Sequence, residues 1–376
     1  MDTKKVESAK VSEEYETADE LEDKGPIKLD NDNYSCPNCN AQLSYIPEKM
    51  SLHCEYCGYE EKLIGESSNL ENVFNLLEIE DNSWKDEVKV VRCENCGAEN
   101  VISVYDIASE CPFCGSSQIV QIDELPGKKP DRVIAFRISS DNSRELFSKW
   151  IKRKLYVPKK VKKDIPSIKI NGVYLPCWTY DANSISEYKG RLGKRYTVTV
   201  GSGKNRRTET RIRWFYIKGT EFVDFDDVIT NAGNKINASE LSSIEPFNTN
   251  ESFVYEQKFL AGFSAEHYKI NVQAGWKNVQ PRMKNFIKTR ILSHYHYDVV
   301  GYLNFEPVYK NITYKYVLLP IWIGAYSYNK KDFRFIVNGE NGKITGKYPI
   351  SAPKVIVTVL IIFIVLFLLI YGFMNS

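Results

Sequence analysis

The sequence predicts an α+β, mainly β protein. It has two small cysteine-built modules on the N-terminal side, a β-rich domain with two related halves, and one apolar helix on the C-terminal side. Three observations predict it. Eight of the nine cysteines fall into CxxC pairs whose spacing is used twice, Cys36-x2-Cys39-x14-Cys54-x2-Cys57 and Cys93-x2-Cys96-x14-Cys111-x2-Cys114. From Ile168 onward Val, Ile, Tyr and Thr recur in alternating runs between turn residues, the pattern of antiparallel strands. Val355 to Phe373 is an uncharged run of 19 residues.

Residues 1–33 carry 11 acidic and 5 basic side chains and read as a solvated, disordered tail. The first module spans 34–64 and the second 91–122, one unit used twice. Two CxxC turns joined by a short out-and-back connection bring four thiolates together, as a tetrahedral zinc requires. Tandem zinc ribbons are therefore expected, with Cys36, Cys39, Cys54 and Cys57 around one Zn2+ and Cys93, Cys96, Cys111 and Cys114 around a second. Four thiolates close the coordination shell, so such an ion folds its loop and activates no water. About 30 residues cannot bury an adequate core, which makes metal binding most of each module's stability. CPxC turns also occur around iron in rubredoxin-like sites; the short 14-residue gap favours zinc. His53 adjoins Cys54, and with four thiolates already in place it reads as a turn residue.

Residues 65–90 form a linker in which Leu70, Phe74 and Leu77 predict a short helix within Asn69 to Trp84. Leu125 to Pro130 is a second linker, and the β-rich domain occupies 128–350. Its first helix is predicted over Asn142 to Leu155, where Leu146, Phe147, Trp150, Ile151 and Leu155 make one apolar stripe and Pro158 bars continuation. Turns are expected at Asn171-Gly172, Gly201-Ser202-Gly203 and Asn341-Gly342, and a further helix over Trp276 to Leu292. Val173 to Trp178 is echoed by Val317 to Trp322, a Leu-Pro-x-Trp core displaced by 144 residues. Proline cannot donate to a ladder, so each copy is expected at a strand edge or bulge beside a buried Trp, in halves of about 128–220 and 221–350.

The run 355–373 would reach roughly 28 Å as a helix, close to the roughly 30 Å of a bilayer's hydrocarbon. A single transmembrane span is expected there, with a membrane as partner. Lys343, Lys347 and Lys354 precede the run and no basic residue follows it in this sequence, which places the N-terminal bulk in the cytoplasm. Reduced CxxC thiols fit that compartment.

The formal net charge of +2 hides a segregation, since residues 128–218 hold 24 basic and 7 acidic side chains. Lys152, Arg153, Lys154, Lys159 and Lys160 precede a predicted hairpin whose tip carries Lys204, Arg206 and Arg207. This surface could meet nucleic-acid phosphates or anionic lipid, or simply balance the acidic tail. Gly201-Ser202-Gly203-Lys204 is no phosphate loop, because the earlier glycine is missing and Asn205 stands where Ser or Thr would hold magnesium. The unpaired Cys177 has Ile321 at its echo position and reads as core. His294, His296 and Asp298 could project from one strand face as metal ligands; the plainer reading is a helix-to-strand junction with Tyr295 and Tyr297 turned inward.

The two modules, followed by KPDRVIAFRIS, LFSKWIKRKLYVPKKV, GVYLPCWTYDA, FLAGFSAEHY and YKYVLLPIWIGAYSY, resemble bacterial transcription-factor-IIB-type zinc-ribbon-containing proteins over about Tyr34 to Ile350. Members are sometimes labelled primosomal replication-restart helicases. The resemblance implies a metal-binding protein. A helicase would need a Walker A loop, an acidic ATPase motif and room for two motor domains, and the chain has none of these. The expected role is a membrane-held binding or scaffold module for an unknown protein partner, with no catalytic activity. The alternative is a membrane-tethered nucleic-acid binder using the ribbons and residues 149–213.

Overall fold

The computed structural model describes residues 35–41, 43–62, 71–75, 81–104, 108, 110–165 and 168–374. The acidic tail expected over 1–33 lies outside them. In chain order come β1 (Ser44–Ile46), β2 (Ser51–His53), β3 (Glu60–Lys62), β4 (Asn72–Val73), β5 (Val88–Cys93), β6 (Glu99–Ser103), β7 (Ile119–Gln121) and β8 (Arg132–Val133). The helices α1 (Ser140–Arg153) and α2 (Lys159–Lys163) follow. Two very long strands, β9 (Ile170–Val200) and β10 (Arg207–Asn231), lead into α3 (Ala238–Ile244), β11 (Phe253–Val254), β12 (Ser264–Glu266) and α4 (Val272–Ser293). The chain finishes with β13 (Val299–Phe305), β14 (Val308–Tyr328), β15 (Lys331–Asn338), β16 (Ile344–Gly346) and α5 (Ala352–Met374). The protein is mainly β with a few helices, and β1–β3 make a small sheet beside a 13-stranded one.

At the centre β9 and β14 run antiparallel, and their register sets the two Leu-Pro-x-Trp segments against each other: Leu175 faces Leu319, Pro176 faces Leu318 and Pro320 faces Tyr174. The strand edge or bulge expected at each proline is corrected: both lie inside the central strands β9 and β14, in unbroken register with each other. Each sits inside its strand where an outer neighbour stops, since β10 ends at Asn231 opposite Cys177 and β15 ends at Asn338 opposite Ile321. The missing N–H therefore leaves no ladder position unfilled. The proline carbonyls accept instead from the departing chains, Ala232 N–H to Pro176 at 2.9 Å and Gly339 N–H to Pro320 at 2.8 Å.

This local two-fold extends outward. Trp178 Nε1 donates to the Ile270 carbonyl at 2.7 Å, and Trp322 Nε1 to the Ile138 carbonyl at 2.8 Å. Each acceptor immediately precedes a helix N-cap: Asn271 receives Ala274 N–H ahead of α4, and Ser139 receives Asn142 N–H ahead of α1. Short parallel strands complete each side, β12 on β9 at Val173–Tyr174 and β8 on β14 at Val317–Leu318. The strand–helix pair β8–α1 thus serves the β14–β15 hairpin, and β12–α4 serves β9–β10. The division expected near residue 220 falls inside β10, because the two sets are threaded through one another.

Four local expectations are corrected. Asn171-Gly172 is no turn but lies within β9; a Cβ on Gly172 would come 2.5 Å from the Phe263 ring and 3.1 Å from Trp322, so glycine admits two aromatic rings. None of the described residues of the expected linker helix is helical: Asn72–Val73 form a strand paired to Thr313–Tyr314 of β14, and Phe74 packs on Tyr180 and Trp276. Helix α1 closes at Arg153, so Leu155 leaves the predicted stripe and stands 66% exposed. Helix α4 begins four residues ahead of Trp276 and carries Pro281 in its interior.

Candidate metal centres

Each four-cysteine group is built from two knuckles of one design. The carbonyl of the leading cysteine accepts an N–H four residues on: Asn40 to Cys36 at 2.8 Å, Gly58 to Cys54 at 3.0 Å, Gly97 to Cys93 at 2.8 Å and Gly115 to Cys111 at 2.8 Å. All four donors lie in the left-handed region, with φ of 58°, 74°, 66° and 73°. Glycine and asparagine are the residues that accept it. The sequence signal for this turn is C-x-x-C-[G/N], present at all four knuckles.

The knuckles bring Sγ atoms to 3.3 Å for Cys36–Cys57 and 3.4 Å for Cys39–Cys54. The second group measures 3.6 Å for Cys93–Cys114 and 3.7 Å for Cys96–Cys111. Four sulfurs about 2.3 Å from a tetrahedral ion would be about 3.8 Å apart. Within each group all ligand atoms lie within 4.8 Å of one another, so both groups fit structural zinc. Local electrostatics favours the thiolate at one cysteine of each group, whereas hydrogen bonds with neighbouring sulfurs raise the thiols of Cys39 and Cys57 and burial raises those of Cys96 and Cys111. Backbone N–H groups of Cys57 and Tyr56 bring the Cys54 thiol down to about 7. Burial opposes the same effect at Cys93, where the N–H groups of Cys96 and Asn95 outweigh it and the thiol again falls to about 7.

The modules attach differently. The first has its own sheet and reaches the body through side chains, with Tyr45 Oη donating to the Phe136 carbonyl at 2.8 Å and its ring edge-on to Phe263. The second belongs to the main sheet, since β6 pairs with β12, which pairs with β9. Charges brace it: Lys269 meets Glu99 and Glu124 together, and Arg92 reaches Glu99 at 2.7 Å. Those cations outweigh burial and hold the Glu99 carboxyl at about 2. His267 is buried beside the same carboxylates, its Nδ1 3.6 Å from Glu99, so Glu99, Glu124 and His267 form a third metal-capable group. The Lys269 ammonium already bridges the two carboxylates, which makes the group an ion-pair brace.

His53 lies on β2 and not in a turn, and it joins neither sulfur group. Cys177 is fully buried among Val173, Leu175 and Ile321, and burial pushes its thiol well up. The set His294, His296 and Asp298 does not converge among the described residues. His294 Nε2 pairs with Glu221 at 2.9 Å, Asp298 accepts Arg195 N–H at 2.7 Å, and Tyr295 and Tyr297 turn toward the core. Gly203–Asn205 is a single 3-10 turn at the β9–β10 tip, with a strand and no helix after it. The basic residues taken together in the sequence are separated, with Lys152 to Lys160 near the start of β9 and Lys204, Arg206 and Arg207 beyond its far end.

The fold and these centres define a class: a mainly β protein with two four-thiolate centres and one helix, Ala352–Phe373, of mean hydropathy 3.2, long and apolar enough to cross a membrane. The chain is 31% identical over 328 residues to a protein of Bacillus subtilis (strain 168) described as uncharacterized protein YdjG, covering 86% of this chain and 91% of that one. It belongs to the YdjG family. No family model matches the chain, and no solved structure matches it.

Proposed function

We propose that the chain is a cytoplasm-facing binding module held at a bilayer by α5, in which two zinc ribbons brace the body and the β9–β10 arm receives a protein partner. The observation that carries this reading is the arm itself. Beyond Gly193 and Trp214 the pair has no further strand on either side among the described residues, and its side chains are exposed on both faces. The register puts Lys194, Tyr196, Arg207, Arg211 and Arg213 on one face, where the single acid Glu209 is shared by Arg207 and Arg211. Tyr196 on this face stacks with Arg213, and Trp214 on the opposite face stacks with Arg191, each ring 39% exposed. Arginine and aromatic side chains concentrate in interface cores, and an acidic protein surface complements this face.

Closed thiolate centres support binding over catalysis, because they set loop shape and leave no open coordination position. Lys343, Lys347 and Lys354, all ahead of the uncharged run 355–373, support the orientation. Replacing residues 194–213 by a two-residue turn and crosslinking in native membranes tests the reading. Loss of the partner with membrane fractionation unchanged is expected; a partner retained by the armless variant sinks it.

The same cationic face favours one second reading, a nucleic-acid phosphate backbone as the occupant. Full-length chain would then bind duplex DNA or RNA with an affinity that falls steeply with salt, and Arg207→Ala, Arg211→Ala and Arg213→Ala together would flatten that slope.

A further inference from the structure

We infer that the segment from Trp150 to Lys163 is a lipid-headgroup shoe, lying on the anionic phospholipids of the bilayer that α5 crosses. The inference deepens the membrane-held reading and rests on it. Its basis is the joint at the root of α5. Lys354 Nζ donates to the carbonyls of Leu155 at 3.1 Å and Val157 at 2.7 Å, and Ser351 N–H donates to Tyr156 at 2.8 Å. Three consecutive residues of the α1–α2 connection are thereby fastened to the first turn of the helix. The uncharged run begins at the next residue, Val355. At about 1.5 Å of rise per residue, that connection stands at the hydrocarbon boundary.

What the joint presents is suited to that depth. Lys152, Arg153, Lys159, Lys160 and Lys163 are exposed around it. Leu155 and Ile350, each 66% exposed, flank the root with apolar surface. Trp150 and Tyr348 pack edge-on beneath Lys154, an aromatic pair of the kind found at bilayer interfaces. Juxtamembrane clusters of four to eight cations bind anionic lipid electrostatically, and apolar neighbours add area buried among acyl chains. The arm's cations sit at the other end of β9, roughly 100 Å of extended chain away, so the two basic groups have different tasks.

The test is hydrogen–deuterium exchange of the full chain in nanodiscs of phosphatidylcholine and in discs containing phosphatidylglycerol. Exchange across 152–163 should slow several-fold in the anionic discs. That protection should vanish at high salt and in the variant Lys159→Glu/Lys160→Glu/Lys163→Glu, with β9 and β14 amides unchanged as the check on folding. The milder Lys159→Gln/Lys163→Gln should lose part of it. Equal exchange in the two discs, with α5 protected in both, overturns the shoe and leaves the span standing. Protection in neutral discs that requires duplex DNA, or that disappears on deleting residues 1–33, assigns the surface to another occupant and overturns it as well. Free exchange of α5 in both discs removes the span, and the shoe with it.

Discussion

A cysteine knuckle works only if the chain turns sharply behind its second thiol. Gly97 and Gly115 do this at φ of 66° and 73°, in places where an added Cβ would touch nothing within 4 Å. The penalty of a side chain there is conformational alone. Gly97→Ala and Gly115→Ala should each cost about 1–2 kcal/mol, and Gly→Asn less, read as shifts in the denaturation midpoint of the metal-loaded protein. Asp181 is the complementary case. Burial and a hydrogen bond with Glu71 push its carboxyl up to about 7. Its contribution to stability is therefore most favourable below about pH 4 and is lost as pH rises through about 7. Asp181→Asn keeps the oxygen that accepts Asp227 N–H and removes the charge. Its stability relative to the parent should rise from pH 5 to about pH 7 by on the order of 1–3 kcal/mol and level off above that, measured by denaturant unfolding from pH 5 to 8. The thiolate ligands were legible because they lie in short, repeated spacings. The pairing of Lys269 with Glu124, 145 positions apart, carries no sequence signal, since only the β12–β6 junction brings the two together.

Elements differ in how much of their surroundings they announce. Helices α1 and α4 advertise an apolar stripe with 3.6-residue periodicity, and both were found within a few residues of their limits. Strand β4 was missed. Two residues paired to a distant strand imitate one turn of helix when Phe74 happens to fall between Leu70 and Leu77. The two modules should also respond differently to damage. Cys36→Ser should loosen the first sheet locally, because among the described residues β1–β3 pair only with one another. Cys93→Ser should lower the melting temperature of the whole protein, because β5 and β6 continue into β12 and β9. Exchange of β9 and β14 amides separates the outcomes: unchanged in the first variant, accelerated in the second.

For the molecule as a whole, the expected metal content is the two ions that fit the two sulfur groups. Metal analysis of the purified chain should find zinc at that ratio. A strong chelator should remove it and lower the unfolding temperature, and His267→Ala should leave the ratio unchanged. The mainly β character and the apolar terminal helix were legible from composition and pattern. The crossing of strand–helix pairs between hairpins was not, because two copies of Leu-Pro-x-Trp announce a repetition without saying whose helix serves whose strands. That crossing governs how the body can move. Two lobes joined by a hinge can open like a book, but here each hairpin is capped by a helix borrowed from the other's stretch of chain. Parting the two stretches of chain would break both Trp–carbonyl links and the β9–β14 ladder in one event, so the trunk transmits a push or twist as one stiff piece, leaving the slender two-stranded limb as the place where bending occurs.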